Sequence, residues 1–591
     1  MRSISPLNGR WFFLPGDTAN HRPPRFRDKD WQEVNLPNAP EYGFPERYWY
    51  CKAVQIERMP DERIYLRVDC PAANCRLFVN GTELEKLRGG VTHTVELTGH
   101  HRRHKPMQLA FRFNGALRFP EEDVQAAAAL EPKLIVGKVL SEVGGFPRGI
   151  ELITVPISHF SFDAKGGSGV SVQTELLENG SAKVKVNAAV LLPTEGQKIT
   201  FAIGGPRIAV PVSVPAAEFA IPRPRLWSPA DPFLYSLRAI LTHKDGTHLD
   251  TVDVSFGVRD LRLTGGGAVW NGLHVLTHGL TRKTPAIGAA LPHEKELALL
   301  REMGVDTLIL TGTPEDDAFF GLCDASALRV FQTLPGLNGF RNRKDGLDAA
   351  KKLIFRLMNH PCAAGWAISA EGENDGSIRA LCELIRHANT GRPILLTDCE
   401  LAALNDWDDF PADAAAVKLS AEDDLIELEK LHRKRPKLSL GLTLETIGTD
   451  IGFAEALRDL PQTHPWLSVF SAGQLYAGED SAALLSQKNE PKDEYYLMRA
   501  LWGNGQRSPE EVGTIPAFPP FVHIRALDKD NPHRVVVYSN AVSVNLTLNG
   551  KAVGMQNTLG IFVFNGISLI DGANQALAKA GELTHARVLN N

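Results

Sequence analysis

The sequence lacks any long hydrophobic run, and no stretch approaches the roughly 20 apolar residues of a membrane-spanning helix. It also lacks an excess of either charge, since 64 basic residues stand against 69 acidic ones and the formal net charge is −5. Without a strong run of one sign, we expect neither nucleic acid nor a membrane surface as a partner. The first residues, Met-Arg-Ser-Ile-Ser-Pro, have no apolar core of the signal-peptide type, which predicts a cytoplasmic protein unless a leader was removed.

Cysteine is scarce, with seven residues in the 591-residue chain. The number is odd, and the cysteines show no metal-ligand spacing. We therefore expect reduced thiols that pack as small hydrophobic side chains, and no structural metal. The chain also contains no internal repeat and no low-complexity tract.

The remaining composition is that of a soluble globular protein, with 43% hydrophobic and 23% charged residues. The length predicts about three to five domains. Residues 1–157 alternate apolar and polar side chains in short runs between Gly and Pro turns, which is typical of an antiparallel β-sandwich. Residues 158–262 continue this period of two, and the size of the segment fits an immunoglobulin-like β-sandwich.

The pattern changes after this point. Between residues 263 and 507, apolar runs of strand length alternate with helical patterns, giving eight strand–helix units. This number predicts a closed (β/α)8 barrel, in which the active site lies at the carboxyl ends of the strands. The weakest unit follows Pro393–Thr397, where we expect an irregular link. Residues 508–591 return to short strands and predict a C-terminal β-sandwich.

Two local motifs have simple structural interpretations. Asn80-Gly81 and Asn549-Gly550 each follow an alternating strand, and both residue types tolerate positive φ, so we expect hairpin turns. Trp49 and Trp227 are interpreted as core or inter-domain anchors that bury a large apolar area, in preference to direct contacts with a ligand.

Two glutamates stand at the ends of predicted barrel strands. Glu371 follows the apolar run Ala364–Ala370, and Glu445 follows Leu438–Leu444. Retaining glycoside hydrolysis requires one protonated and one ionised carboxyl at such a position. The alternative interpretation is that each glutamate is a solvated residue at a strand end.

A series of motifs, in order along nearly the whole chain, resembles glycoside hydrolase family 2, the family of β-galactosidases, β-glucuronidases and β-mannosidases. These motifs are Leu7-Asn-Gly-Arg-Trp, Tyr48-Trp-Tyr, Gly144-Gly-Phe-Pro-Arg-Gly, Leu226-Trp-Ser-Pro, Phe256-Gly-Val-Arg, Met303-Gly-Val, the run from His360-Pro to Glu371, Val537-Tyr-Ser-Asn and Leu548-Asn-Gly-Lys. The resemblance implies a jelly-roll-like sandwich of the sugar-binding type at residues 1–157, a catalytic-type TIM barrel, a carbohydrate substrate and no cofactor or metal. Relatives often form dimers or tetramers, so the chain is compatible with a homo-oligomer.

Carried over by position, the resemblance makes Glu371 the acid/base and Glu445 the nucleophile. Glu373 is a near neighbour, but its distance from Trp366 does not match the family motif. Thr446-Ile447-Gly448 replaces the aromatic-Gly pair that usually follows the nucleophile.

Other departures gather at the site. Ala370 replaces the asparagine that normally precedes the acid/base and binds the sugar 2-hydroxyl. After the first strand only Arg282 remains of the usual Asn-Arg-His, and Gln332 replaces an acidic residue on the third strand. The family's sixth-strand tyrosine and eighth-strand tryptophan are not recognisable.

Two functions follow from these observations. The first is a retaining β-glycosidase with a strongly altered sugar subsite, and galactosides are the default substrate only because they are the commonest in the family. Candidate substrate-binding residues are Arg282, Lys283, Gln332, Ser369, Asp406, Trp407 and Gln474. The second is a catalytically inactive scaffold that binds carbohydrate or serves assembly. Retention of both glutamates favours the enzyme, because an unused pair of buried carboxylates costs free energy.

Overall fold

The computed structural model describes most of the chain, and every structural statement below concerns these residues: 2–16, 31–37, 47–69, 71, 74–88, 91–114, 145–146, 148–162, 165–275, 277–284, 291–340, 342–388, 390–406, 409–419, 423–444, 460, 463–476, 483–486, 488–502, 518–527, 531–558 and 560–590.

The first domain is a sandwich of two antiparallel sheets. Its strands are β1 (Ser3–Pro6), β2 (Gly9–Pro15), β3 (Gln32–Leu36), β4 (Arg47–Val54), β5 (Glu62–Val68), β6 (Cys75–Val79), β7 (Thr82–Leu87), β8 (His93–Glu96), β9 (Met107–Asn114) and β10 (Ile150–Pro156). One sheet has the order β3-β2-β4-β9-β6-β7 and the other β1-β10-β5-β8. Alternate apolar side chains of both sheets, such as Trp11, Tyr50 and Leu66, form one buried core.

The second domain is a smaller sandwich. Its strands are β11 (His159–Phe160), β12 (Val170–Leu176), β13 (Ala182–Ala188), β14 (Val190–Leu191), β15 (Lys198–Ile203), β16 (Arg207–Pro211), β17 (Ala216–Ile221), β18 (Tyr235–Thr242) and β19 (His248–Phe256). The sheets β12-β13-β17 and β16-β15-β18-β19 enclose a core of valine, alanine and phenylalanine side chains. The period of two in β13, with every second residue buried, is the pattern that the sequence predicts.

A three-stranded sheet, β20 (Leu261–Thr264), β21 (Gly267–Trp270) and β22 (Leu273–Val275), leads into the barrel. Eight parallel strands close the barrel in chain order: β23 (His278–Lys283), β24 (Thr307–Thr311), β25 (Arg329–Thr333), β26 (Ala363–Ser369), β27 (Ile394–Cys399), β28 (Ala414–Leu419), β29 (Ser439–Leu444) and β30 (Leu467–Gln474). The strands are apolar and buried along most of their length, as expected where helices cover the outer face.

The helices of the barrel are α1 (His293–Met303), α2 (Asp317–Ser326), α3 (Arg343–Leu357), α4 (Asp375–Ala388), α5 (Leu401–Asp406), α6 (Asp423–Lys434) and α7 (Asp493–Trp502). Asp316 and Asn342 cap α2 and α3, because their side-chain oxygens accept the backbone N–H three residues on. The six-residue α5 corrects the sequence prediction of an irregular link after the fifth strand. The segment lacks a helical apolar stripe long enough to be recognised in the sequence.

The C-terminal domain contains β31 (Val522–Ile524), β32 (Val535–Ser539), β33 (Ser543–Leu548), β34 (Lys551–Asn557), β35 (Gly560–Phe564), β36 (Ala573–Ala580) and β37 (Leu583–Asn590). The sheets β31-β32-β35 and β34-β33-β36-β37 pack around one apolar core. The closed parallel barrel and its flanking sandwiches confirm the predicted fold class. Across the ranges given above, no helix combines the length and the hydrophobicity that crossing a membrane would take.

The local predictions for turns and tryptophans are confirmed. Asn80 and Gly81 have φ of 50° and 88°, and Asn549 and Gly550 have φ of 49° and 78°, as hairpin turns of this type require. Trp49 and Trp227 are both fully buried. The indole N–H of Trp227 donates to the backbone carbonyl of Asp324 at 2.8 Å, which links the second domain, between β17 and β18, to the barrel helix α2. The six described cysteines are all free and buried.

Candidate active site

Glu371 lies at the carboxyl-terminal mouth of the barrel. The fourth strand, β26, carries the fully buried Trp366 and ends at Ser369, and Glu371 follows two residues later with an exposed side chain. Its backbone N–H donates to Oγ of Ser369 at 3.3 Å. The buried strand thus fixes the base of the loop, while the carboxyl is open to solvent and to a substrate.

Ser369 connects this loop to the fifth strand. Its hydroxyl donates to Oδ2 of Asp398 at 2.6 Å, and the hydroxyl of Thr397 donates to the same oxygen at 3.0 Å. The backbone N–H of Ala370 also donates to the carbonyl of Thr397 at 2.9 Å. Asp398 is therefore part of the mouth, although the sequence reasoning did not select it. The available sequence feature was an acidic residue at the end of an apolar strand, the same feature that singled out Glu371 and Glu445.

Glu373 has a different environment from Glu371. Its Oε1 accepts the backbone N–H of Asn338 at 3.0 Å, and its Oε2 is buried with no hydrogen-bond partner among the described residues. Gly336 also packs closely against the Glu373 carboxyl, because a Cβ added to Gly336 would lie 2.5 Å from Oε1. Glu373 thus holds the loop after the third strand and lies less open to substrate than Glu371.

Arg282, at the end of the first barrel strand, is in the centre of a buried ionic network. Its guanidinium binds both carboxylate oxygens of Glu296 and donates to Oε1 of Glu315 at 2.6 Å. Tyr476 donates its hydroxyl to Glu296 at 2.7 Å, and Arg148 of the first sandwich donates to Glu315 at 3.3 Å. Arg282 is only 1% exposed, so in this structure it supports the strand ends and has no open path to a ligand.

The electrostatics of this network are balanced. Burial disfavours the charged guanidinium, but the two carboxylates outweigh burial and raise the pKa of Arg282 above its usual value. Burial together with the nearby Glu296 raises the pKa of Tyr476, so the phenol stays protonated and can donate. Two positive and two negative side chains compensate one another, which is the condition under which buried charges are tolerated.

The remaining predicted site residues divide into two groups. Lys283 and Gln474 are exposed at the ends of the first and eighth strands. Gln332 is 1% exposed on the third strand; its Nε2 donates to the carbonyl of Thr333 at 3.0 Å, and its Oε1 is buried without a described partner. Glu445 and Trp407 lie outside the described residues, and for Asp406 the structure gives only its place at the end of α5. The structure thus brings Lys283, Gln332, Ser369, Glu371 and Gln474 to the same end of the barrel, and substrate contact by any of them stays a prediction.

A cleft of about 280 Å³ lies beside the mouth, between the first two sandwiches and α3. Thr313, Pro314 and Thr333, from the loops or ends of the second and third strands, form one wall, and Arg67 and Phe162 belong to the sandwiches. Among the described residues, none that we predicted to bind substrate lines this cleft.

One cluster has residue types that bind metals, but its chemistry does not fit an ion. Asp324, His360 and Cys362 place ligand atoms within 4.8 Å of one another, near the start of the fourth strand and therefore opposite the mouth. Asp324 instead accepts hydrogen bonds from the Cys362 backbone N–H at 2.9 Å and pairs with Nδ1 of His360 at 2.7 Å. Burial raises the pKa of the Cys362 thiol well above its usual value, which keeps the thiol protonated. We interpret the cluster as structural.

Comparison with known proteins places this geometry in a family context. Residues 153–259 match the model for glycosyl hydrolases family 2. A β-glucuronidase from Bacteroides fragilis is 24% identical over 467 residues, which cover 71% of this chain and 64% of the relative. A β-galactosidase from Thermoanaerobacter pseudethanolicus is 22% identical over 405 residues, covering 62% of this chain and 51% of the relative. The chain thus spans about half to two-thirds of the length of these curated relatives.

The fold similarity extends further than the sequence similarity. The crystal structure of an FMN-binding β-glucuronidase from Faecalibacterium prausnitzii L2-6 superposes with a TM-score of 0.81 at 21% identity, covering 100% of this chain and 98% of that one. The low identities agree with the many departures at the barrel mouth. Together with the order of motifs along the sequence, these findings confirm the resemblance of the chain to glycoside hydrolase family 2, at the low identity of a divergent sequence.

Proposed function

We propose that the chain is a retaining β-glycosidase that hydrolyses an O-glycosidic bond of a carbohydrate, with Glu371 as acid/base and Glu445 as nucleophile. The single observation that carries the proposal is the position of Glu371, which is exposed directly beyond the buried fourth strand of a closed eight-stranded barrel. Active sites of such barrels lie at this end. The β-glucuronidases and β-galactosidases among its relatives support the same class of reaction.

The reaction follows from the two carboxyl groups. Glu371, protonated, gives its proton to the glycosidic oxygen as the bond to the anomeric carbon breaks, while the Glu445 carboxylate attacks that carbon. The leaving alcohol departs, and a glycosyl ester on Glu445 remains. Glu371, now ionised, removes a proton from water, which attacks the anomeric carbon and releases the sugar with its original configuration.

The sugar subsite is altered relative to the family. Ala370 cannot provide the amide that its relatives direct at the sugar 2-hydroxyl, and Arg282 is held by Glu296 and Glu315. Among the described residues, the groups that remain available at the mouth include Lys283, Gln474 and the Ser369–Asp398 pair. A site with these changes is expected to accept a sugar or linkage different from those of its relatives.

A panel of aryl β-glycosides tests the proposal, with proton NMR used to record the anomer that first forms. We expect turnover of at least one substrate with retention, and a loss of about 100-fold or more in kcat for Glu371→Gln and for Glu445→Gln. Glu383→Gln, a matched change at an exposed site on α4, should leave activity unchanged.

The same panel tests the second function. The loss of the family's sugar contacts is the observation that favours an inactive carbohydrate-binding or assembly scaffold. Absence of turnover across the panel would favour that scaffold over the enzyme, whereas turnover that survives both glutamate substitutions would refute the roles assigned to Glu371 and Glu445.

A further inference from the structure

Asp398 occupies an unusual backbone position at the end of the fifth barrel strand. Its φ is 57°, in the left-handed region that non-glycine residues seldom adopt. The ladder between the fifth and sixth strands shifts register between Leu396 and Cys399, so the irregularity spans Thr397 and Asp398. Bulges and strained residues of this kind re-direct side chains next to active sites.

The side chain of Asp398 is held in a defined orientation. Its Oδ2 accepts two hydroxyl hydrogen bonds, from Ser369 at 2.6 Å and from Thr397 at 3.0 Å. Ser369 in turn accepts the Glu371 backbone N–H at 3.3 Å, so Asp398 is two hydrogen bonds away from the proposed acid/base. Asp398 is partly exposed, and its Oδ1 has no hydrogen-bond donor among the described residues.

A carboxylate with one oxygen saturated and the other free is a ready acceptor for hydroxyl groups. A carboxylate accepts hydrogen bonds without needing to donate, and hydrogen bonds to a charged acceptor are stronger than neutral ones. Its negative charge would repel a sugar that carries a carboxylate of its own. The expected ligand is therefore an uncharged sugar that presents hydroxyl groups near the scissile bond.

We propose that Asp398 binds a hydroxyl group of the sugar beside Glu371 and makes the site select neutral glycosides over uronides. The proposal rests on the proposed function for the location of the sugar. Asp398 gives the barrel mouth a hydrogen-bond acceptor, whereas Ala370 lacks the amide that the family's asparagine provides. Sugar binding also gives a role to an aspartate held at φ of 57°, a backbone conformation that glycine adopts at lower cost.

Binding of non-hydrolysable thioglycosides tests the proposal independently of catalysis. Phenyl 1-thio-β-D-galactoside, glucoside, mannoside and glucuronide are titrated into the full-length wild type, Asp398→Asn and Asp409→Asn by calorimetry. Asp409 is a matched control because its side chain is 92% exposed. We expect the wild type to bind at least one neutral thioglycoside more tightly than the glucuronide, and Asp398→Asn to weaken neutral binding by about 10- to 100-fold.

The outcomes separate this proposal from the proposed function. Asp398→Asn should also reduce or reverse the preference for neutral thioglycosides over the glucuronide. Loss of a purely structural contact would not change this preference. Binding of neutral sugars that depends on Asp398 upholds the inference even if the wild type turns over no substrate. Absence of binding for all four probes, equal loss for neutral and charged sugars, or wild-type affinities in Asp398→Asn would overturn it.

Discussion

Nη1 of Arg282 lies 2.6 Å from Oε1 of Glu315, and this contact joins the end of the first barrel strand to the loop after the second. Because Glu315 also accepts from Arg148 at 3.3 Å, the first sandwich is connected to the barrel mouth through the same carboxylate. The arginine that resembles a family motif thus contributes to the assembly of the site by holding its strand ends together.

Arg282→Met should destabilise the barrel strongly. The change leaves Glu296 and Glu315 buried without their main counter-charge, and breaking a buried ionic pair in this way typically costs about 3–5 kcal/mol. We expect a clear decrease in the calorimetric unfolding temperature. Arg238→Met provides the control, because the Arg238–Asp253 pair is exposed, at 59% and 53%, and should contribute little to stability. Equal effects of the two substitutions would refute the role assigned to Arg282.

Burial of His93 determines how this residue makes folding stability depend on pH. His93 is 9% exposed in β8, and burial lowers its pKa from 6.5 to about 4, although hydrogen bonding with the Arg88 backbone partly opposes this shift. The unfolded state therefore binds more protons than the folded state between pH 6.5 and 4, so the stabilising contribution of neutral His93 is complete above this window and declines as the pH falls through it. At pH 5 the resulting decrease in folding stability is about 2 kcal/mol.

His93→Gln should remove this component of the acid sensitivity, since glutamine can still accept the Arg88 backbone N–H that His93 accepts at 2.9 Å. The measurement is the decrease in unfolding temperature from pH 7 to pH 5 for wild type and variant. His248→Gln, at an exposed site in β19, serves as the control. An unchanged pH dependence in His93→Gln would show that other groups account for it.

Trp227→Phe and Trp227→Ala should separate the hydrogen bond of this anchor from its packing. Trp227→Phe removes the 2.8 Å bond to the Asp324 carbonyl and is expected to cost about 1 kcal/mol. Trp227→Ala also removes a fully buried side chain and is expected to cost about 3–5 kcal/mol. Denaturant unfolding of the full chain measures both, and similar small effects would mean that the second domain docks on the barrel without this anchor.

The parts of the fold that could be predicted from the sequence depend on local patterns. The apolar run Ala364–Ala370 predicts the fourth strand, observed at Ala363–Ser369, to within one residue at each end. Asn80-Gly81 specifies its hairpin because both residues tolerate positive φ. Trp227 was identified as an anchor from its size and apolar surface alone. The change from a period of two to strand–helix alternation predicted the order of the domains, and the resemblance to a known family supplied the choice of Glu371 over Glu373.

Other features depend on contacts between distant residues and could not be predicted. The partners of Arg282 are 14 and 33 positions away, and Tyr476 is 180 positions from Glu296. No local pattern distinguishes an arginine that binds substrate from one enclosed by such carboxylates. The strand-end position of Asp398 is visible in the sequence, but its left-handed backbone and the adjacent register shift arise from the pairing of the fifth and sixth strands.

Azide rescue of Glu371→Ala tests the assignment of Glu371 most directly. The substrate is a dinitrophenyl β-glycoside that the wild type hydrolyses; its leaving group departs without a proton, so the glycosyl ester on Glu445 forms but no base activates water. Azide needs no such base and can attack in the space that Glu371 vacates. We expect azide to restore turnover and to yield the β-glycosyl azide, identified by NMR. Turnover of Glu371→Ala at the wild-type rate without azide, or a rate that azide leaves unchanged, would contradict the assignment of Glu371 as the acid/base.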